Sequence, residues 1–89
     1  MNDKFRIKIC ARIENMLTRE FGFTRIMSDQ MPDHRIFGKE NAMASLNMNE
    51  ATTKVCDGKE CTNCVSLHSL RNVLCNIRDN KPMLQYRSY

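Results

Sequence analysis

The sequence predicts an α+β fold in which two amphipathic helices pack on a small antiparallel sheet. The expected order is helix-strand-strand-strand-helix, with room for a C-terminal edge strand. Three observations lead there. Apolar residues recur at helical spacing near both ends of the chain. Short runs of strand formers, separated by turn residues, fill the middle. The composition, 42% hydrophobic with 3 Gly and 2 Pro, suits a packed core and excludes a low-complexity or fully disordered chain.

The first helix is expected over residues 3–21, where Phe5, Ile9, Ile13, Met16, Leu17 and Phe21 form the apolar stripe. Asn2 or Asp3 can cap its start, because a short side-chain oxygen accepts from an orphan backbone N–H. Gly22 stands where a left-handed C-terminal cap is wanted. Residues 23–27 and 34–37 read as two strands of a hairpin, joined across a turn that contains Pro32. Residues 39–50 admit two readings: Lys39 to Ala44 contains good helix formers, but Ala42, Ala44, Leu46 and Met48 alternate with mostly polar residues, which favours a third strand over 43–49, with a continuation through Thr52 to Val55. Asp57-Gly58 marks a turn. A second helix is expected from Thr62, with Thr62 or Asn63 as N-cap. Leu67, Leu70, Val73, Leu74 and Ile77 form its apolar face, and Pro82 lies beyond its end. Met83 to Tyr86 reads as the edge strand or a packed tail.

The 89 residues fit a single small domain over 1–89. A domain of this size buries roughly 60% of the surface its unfolded chain exposes, so a metal, a partner or a second copy would add useful stability. No apolar run approaches the roughly 20 residues of a membrane span. The N-terminal residues mix Lys4, Arg6 and Lys8 among apolar ones and lack the pattern of a secretory signal. The expected location is therefore cytoplasmic.

The net charge of +4 permits an anionic partner without demanding one. Its organisation is more telling. Lys4, Lys8, Arg12 and Arg19 follow at intervals of four, four and seven, and Arg6 adds to the same end. Such a ridge can lie along a protein's acidic groove, along phosphates, or on an anionic membrane surface. It can equally be the solvated outer side of a packed helix. Met27, Met31, Met43 and Met48 offer adaptable contact surface or loose core packing.

Five cysteines, an odd number in a chain without a visible signal, favour free thiols or metal ligands over a disulfide framework. Cys56, Cys61 and Cys64 lie on or beside a turn. On a helix, Cys64, His68 and Cys75 would fall within about 40° of one another. Cys56, Cys61, Cys64 and His68, with Cys75 as an alternate, can thus supply four ligands to a tetrahedral zinc, although the favoured expectation is no cofactor. The competing reading is plain thiols that pack as small hydrophobes. The spacing Cys56-x4-Cys61-x2-Cys64 also resembles the first three ligands of plant-type two-iron, two-sulfur ferredoxins. Cys75, inside a predicted helix, departs from that family's fourth. Cys61 or Cys64 with His68 would be the pair of a thiol enzyme or redox protein, without a recognisable nucleophile context.

The order of elements is similar in outline to a double-stranded-RNA-binding domain, and Pro32-Asp33-His34 before Phe37 is similar to that family's loop into its second strand. Cys61-Thr62-Asn63-Cys64-Val65-Ser66 stands where that family has a basic, alanine-rich helix start. The resemblance therefore implies no phosphate clamp here. No phosphate loop, dinucleotide fingerprint or zincin motif is present. The sequence thus favours a small non-enzymatic regulatory protein that binds a protein partner through its basic N-terminal helix. A zinc-stabilised nucleic-acid module is the alternative and a thiol protein the third reading. A thin core and an odd cysteine leave room for a homodimer.

Overall fold

A computed structural model describes residues 2–27 and 33–81. The expected α+β architecture is present, with four strands rather than three. Helix α1 spans Asp3–Asn15 and passes into a π-helical turn over Met16–Glu20. Asn2 caps it, its side chain accepting from the N–H of Lys4 at 2.8 Å and of Phe5 at 3.4 Å. The Thr18 hydroxyl donates to the Glu14 carbonyl at 2.8 Å, a back-bond that competes with the helical ladder just where it widens. Gly22, at φ 74, takes the left-handed conformation that lets the chain leave.

Strands β1 (Thr24–Ile26), β2 (His34–Lys39), β3 (Ala42–Asn47) and β4 (Thr52–Cys56) form an antiparallel meander in sequence order. The single strand expected from 43 towards Val55 is instead a hairpin. Asn47 accepts through its side chain from the N–H of Asn49 at 2.9 Å and of Glu50 at 3.2 Å, and Ala51 adopts φ 55. This Asx turn reverses the chain without Gly or Pro, the residues that usually signal a turn. The expected edge strand at 83–86 lies outside the described residues.

Register places Arg25, Phe37, Ala44 and Val55 in one row across the sheet, and Arg35, Leu46 and Thr53 in the next. Both rows face the helices. Phe37, Leu46 and Val55 join Ile13 of α1, Leu17 of the π-helical turn and Leu70, Val73 and Leu74 of helix α2 (Leu67–Arg78) in one buried cluster. At the β1 side the rows end on charge, with Glu14 of α1 meeting Arg35 at 3.0 Å and Arg25 at 3.7 Å.

Helix α2 begins at Leu67, five residues later than expected, with Ser66 at its N-cap. Residues 61–65 are taken by the free edge of β4. Cys61 lies opposite Cys56 and Val65 opposite Thr53. Three steps along β4 thus face four along the returning segment, which makes it a bulged strand. Thr62 closes the bulge. Its N–H donates to the Val55 carbonyl at 2.9 Å, and its hydroxyl oxygen accepts from the Val55 N–H at 3.0 Å, where a regular ladder would offer a carbonyl. Thr62 is 1% exposed, so the apolar and cap-forming residues expected to start a helix serve the sheet edge instead.

A candidate partner-binding groove

By helical geometry, successive residues of α1 advance by about 100°, so its apolar stripe is wide. Ile13 and Leu17 turn to the sheet and are fully buried. Phe5, Ile9, Arg12 and Met16 lie roughly a quarter turn away, and Lys8 and Arg19 flank them. The expected continuous core stripe therefore divides. Phe5 is 58% exposed and Ile9 only half-buried. These residues line a groove of about 940 Å³ between α1 and α2, whose opposite wall includes Leu67, His68 and Arg71.

The groove has an apolar floor of Phe5, Ile9, Met16 and Leu67 under a cationic rim. Lys8, Arg12, Arg19 and Arg71 line it against one carboxylate, Glu20. Glu20 is occupied by Arg71 at 3.0 Å. Among the described residues, Lys8, Arg12 and Arg19 form no ion pair.

The expected basic ridge is only partly one surface. Lys8, Arg12 and Arg19 share the groove; Lys4 is exposed outside its lining. Arg6 turns to the sheet. Its guanidinium donates to the Met48 carbonyl at 2.6 Å and meets Asp3 at 3.5 Å. Arg6 thus clamps the β3–β4 hairpin to α1. Cys10 lies beside it, its thiol 3.7 Å from the same carbonyl. Burial pushes the Cys10 thiol up, opposed in part by Arg6 and Arg35, which keeps it neutral and a poor nucleophile.

The five candidate metal ligands do not come together as a set. Cys56 and Cys61 are joined in a disulfide. They occupy a non-hydrogen-bonded pair between the bonds from Thr62 N–H to Val55 O and from Asp57 N–H to Glu60 O, and such pairs bring side chains close. The shared face expected for Cys64, His68 and Cys75 needed a helix through all three. Cys64 precedes α2 and is exposed. His68 borders the groove with its Nδ1 at 2.6 Å from the Ser66 hydroxyl, and Cys75 is half-buried against the core. Among the described residues no group of three or more His, Cys, Asp or Glu is placed to hold a metal ion. Nor is any helix among them long and apolar enough to cross a membrane.

Comparison with known proteins finds no matching family model, no similar curated protein and no similar solved structure.

Sequence reasoning missed Leu67 and Arg71 as members of the site. Their four-residue spacing puts them on one helix face, which was legible, but that this face stands opposite α1 is a tertiary fact.

Proposed function

We propose that this chain is a small, non-enzymatic interaction protein that regulates a macromolecular partner by holding it in the groove between α1 and α2. The partner is a protein. The observation that carries this reading is the pairing of an apolar floor, exposed at Phe5 and half-buried at Ile9 and Leu67, with the cations Lys8, Arg12 and Arg19, which form no ion pair among the described residues. A phosphate backbone would use the cations and gain nothing from Phe5, Ile9, Met16 and Leu67 lying side by side. A protein surface uses both, with apolar contact at the centre and charge at the rim. A cytoplasmic location rests on the sequence alone, and there the Cys56–Cys61 pair would be subject to the glutathione pool.

The test is a photo-crosslinking side chain at Asn15, which lines the groove and is exposed. In cells it is expected to give an adduct that resists nuclease and is lost when Lys8→Glu and Arg12→Glu are combined. A crosslinker at Lys54, exposed on β4, should not give that adduct. An adduct destroyed by nuclease, or one indifferent to the charge reversal, would overturn the reading.

A further inference from the structure

We infer that the occupant of the groove is an acidic amphipathic α-helix of the partner, an assignment that rests on the protein-binding reading above and goes on to the partner's chemistry. Three features point to a helix. First, both walls are helices, and their backbone groups are already hydrogen-bonded within α1 and α2. An extended segment laid here would find no ladder to join, and its own N–H and C=O groups would lose water without gaining partners. A helix arrives with its backbone satisfied and offers only side chains.

Second, the groove has the length and the pattern of a helix seat. The wall from Phe5 to Glu20 runs roughly 20 Å at about 1.5 Å per residue, room for about four turns. Phe5, Ile9 and Met16 follow at helical intervals along it. They stand at i, i+4 and i+11, with Arg12 at i+7, so an occupant lying alongside meets three apolar positions and one cation.

Third, charge selects the sign. Lys8, Arg12 and Arg19, which form no ion pair among the described residues, stand along one wall; Arg71 on the other is already paired with Glu20. A helix carrying Glu or Asp beside its apolar row would place carboxylates along the α1 wall, where Lys8, Arg12 and Arg19 stand. A basic helix of the same shape would meet like charge along its whole length. Electrostatic complementarity of this kind steers encounter and suppresses wrong partners.

The experiment uses the full chain and a labelled peptide of about 15 residues, with Leu at i, i+4, i+7 and i+11 and Glu flanking the row. Binding is read by fluorescence anisotropy, and peptide helicity by circular dichroism. The peptide is expected to bind, to gain helicity on binding, and to weaken as salt is raised. Combined Lys8→Glu and Arg12→Glu should weaken it by at least about tenfold, and Phe5→Ser, at an exposed position, by several-fold. Lys54→Glu, away from the groove, should leave it unchanged. A scrambled peptide of the same composition that binds equally well would overturn the inference. So would a peptide that binds without becoming helical, or a short oligonucleotide that displaces it at lower concentration. A nuclease-resistant, charge-dependent adduct at Asn15 whose contacting partner segment is extended or basic would defeat this inference alone. An adduct destroyed by nuclease, or one indifferent to the charge reversal, would defeat the protein-binding reading beneath it.

Discussion

At one edge of the sheet β4 is paired with the returning segment 61–65; at the other, β1 carries three exposed residues and the paired charges of Glu14, Arg25 and Arg35. The two edges meet the same hazard, a row of unpaired backbone groups open to foreign strands. The β4 edge is closed by backbone bonds, a buried hydroxyl and a disulfide. The β1 edge is short and ends its core-facing rows on charge. Buried hydrogen bonds are expensive to lose, and half-exposed ion pairs are cheap. Stability should therefore be concentrated at the β4 edge.

The largest expected effect is Thr62→Val. It strands the Val55 N–H in a buried site and should cost about 2 kcal/mol or more in urea unfolding. A loss below about half of that would mean the bulge repacks and would undo the contrast. Next, combined Cys56→Ser and Cys61→Ser should cost about 2 kcal/mol, the chain-entropy value for so short a loop. Thiol titration of denatured, unreduced protein should then find the same three thiols in the wild type and in this variant, namely Cys10, Cys64 and Cys75. Five in the wild type would remove the disulfide from the β4 edge.

Thr53→Val tests the same strand in the opposite direction. The Thr53 hydroxyl is buried with no hydrogen-bond partner among the described residues, so removing it should raise stability by about 1 kcal/mol. A loss would show that the hydroxyl is satisfied. At the β1 edge, Glu14→Gln should cost less than about 1 kcal/mol, and the difference should shrink as salt is raised. A cost matching Thr62→Val would make the two edges equivalent.

The smallest effect concerns acid. The backbone N–H groups of Glu60 and Lys59 donate to the Asp57 carboxylate and hold it below the usual carboxylate range. Because the folded value is the lower one, its contribution is complete above the usual carboxylate range and is lost as pH falls from there through the lower folded value. Asp57→Asn keeps an acceptor oxygen but not the titration. Its stability should fall less steeply with acid than the wild type's, and identical acid limbs would contradict the assignment.

Local sequence carried much of the fold. The Asn2 cap, the Gly22 exit, the alternation in β3 and the apolar face of α2 from Leu67 to Ile77 are short-range signals, legible because capping and periodicity act within a few residues. Lys8, Arg12 and Arg19 were legible as a ridge for the same reason. Other features needed partners distant in the chain. The segment 61–65 has the composition of a helix start, and only the open edge of β4 draws it into a bulged strand. Asn47 reverses the chain with its own side chain, so the continuing alternation misled.

The apolar stripe of α1 shows most clearly where the division falls. Its residues determined by themselves that a helix forms and that a broad band of it avoids water. They could not say how much of that band the sheet would cover. The tertiary structure covers Ile13, Met16 and Leu17, turns Arg6 inward to Met48, and leaves Phe5 exposed and Ile9 half-buried beside Lys8, Arg12 and Arg19. Periodicity specifies a face, but coverage depends on the width and placement of the neighbour, which residues far along the chain decide.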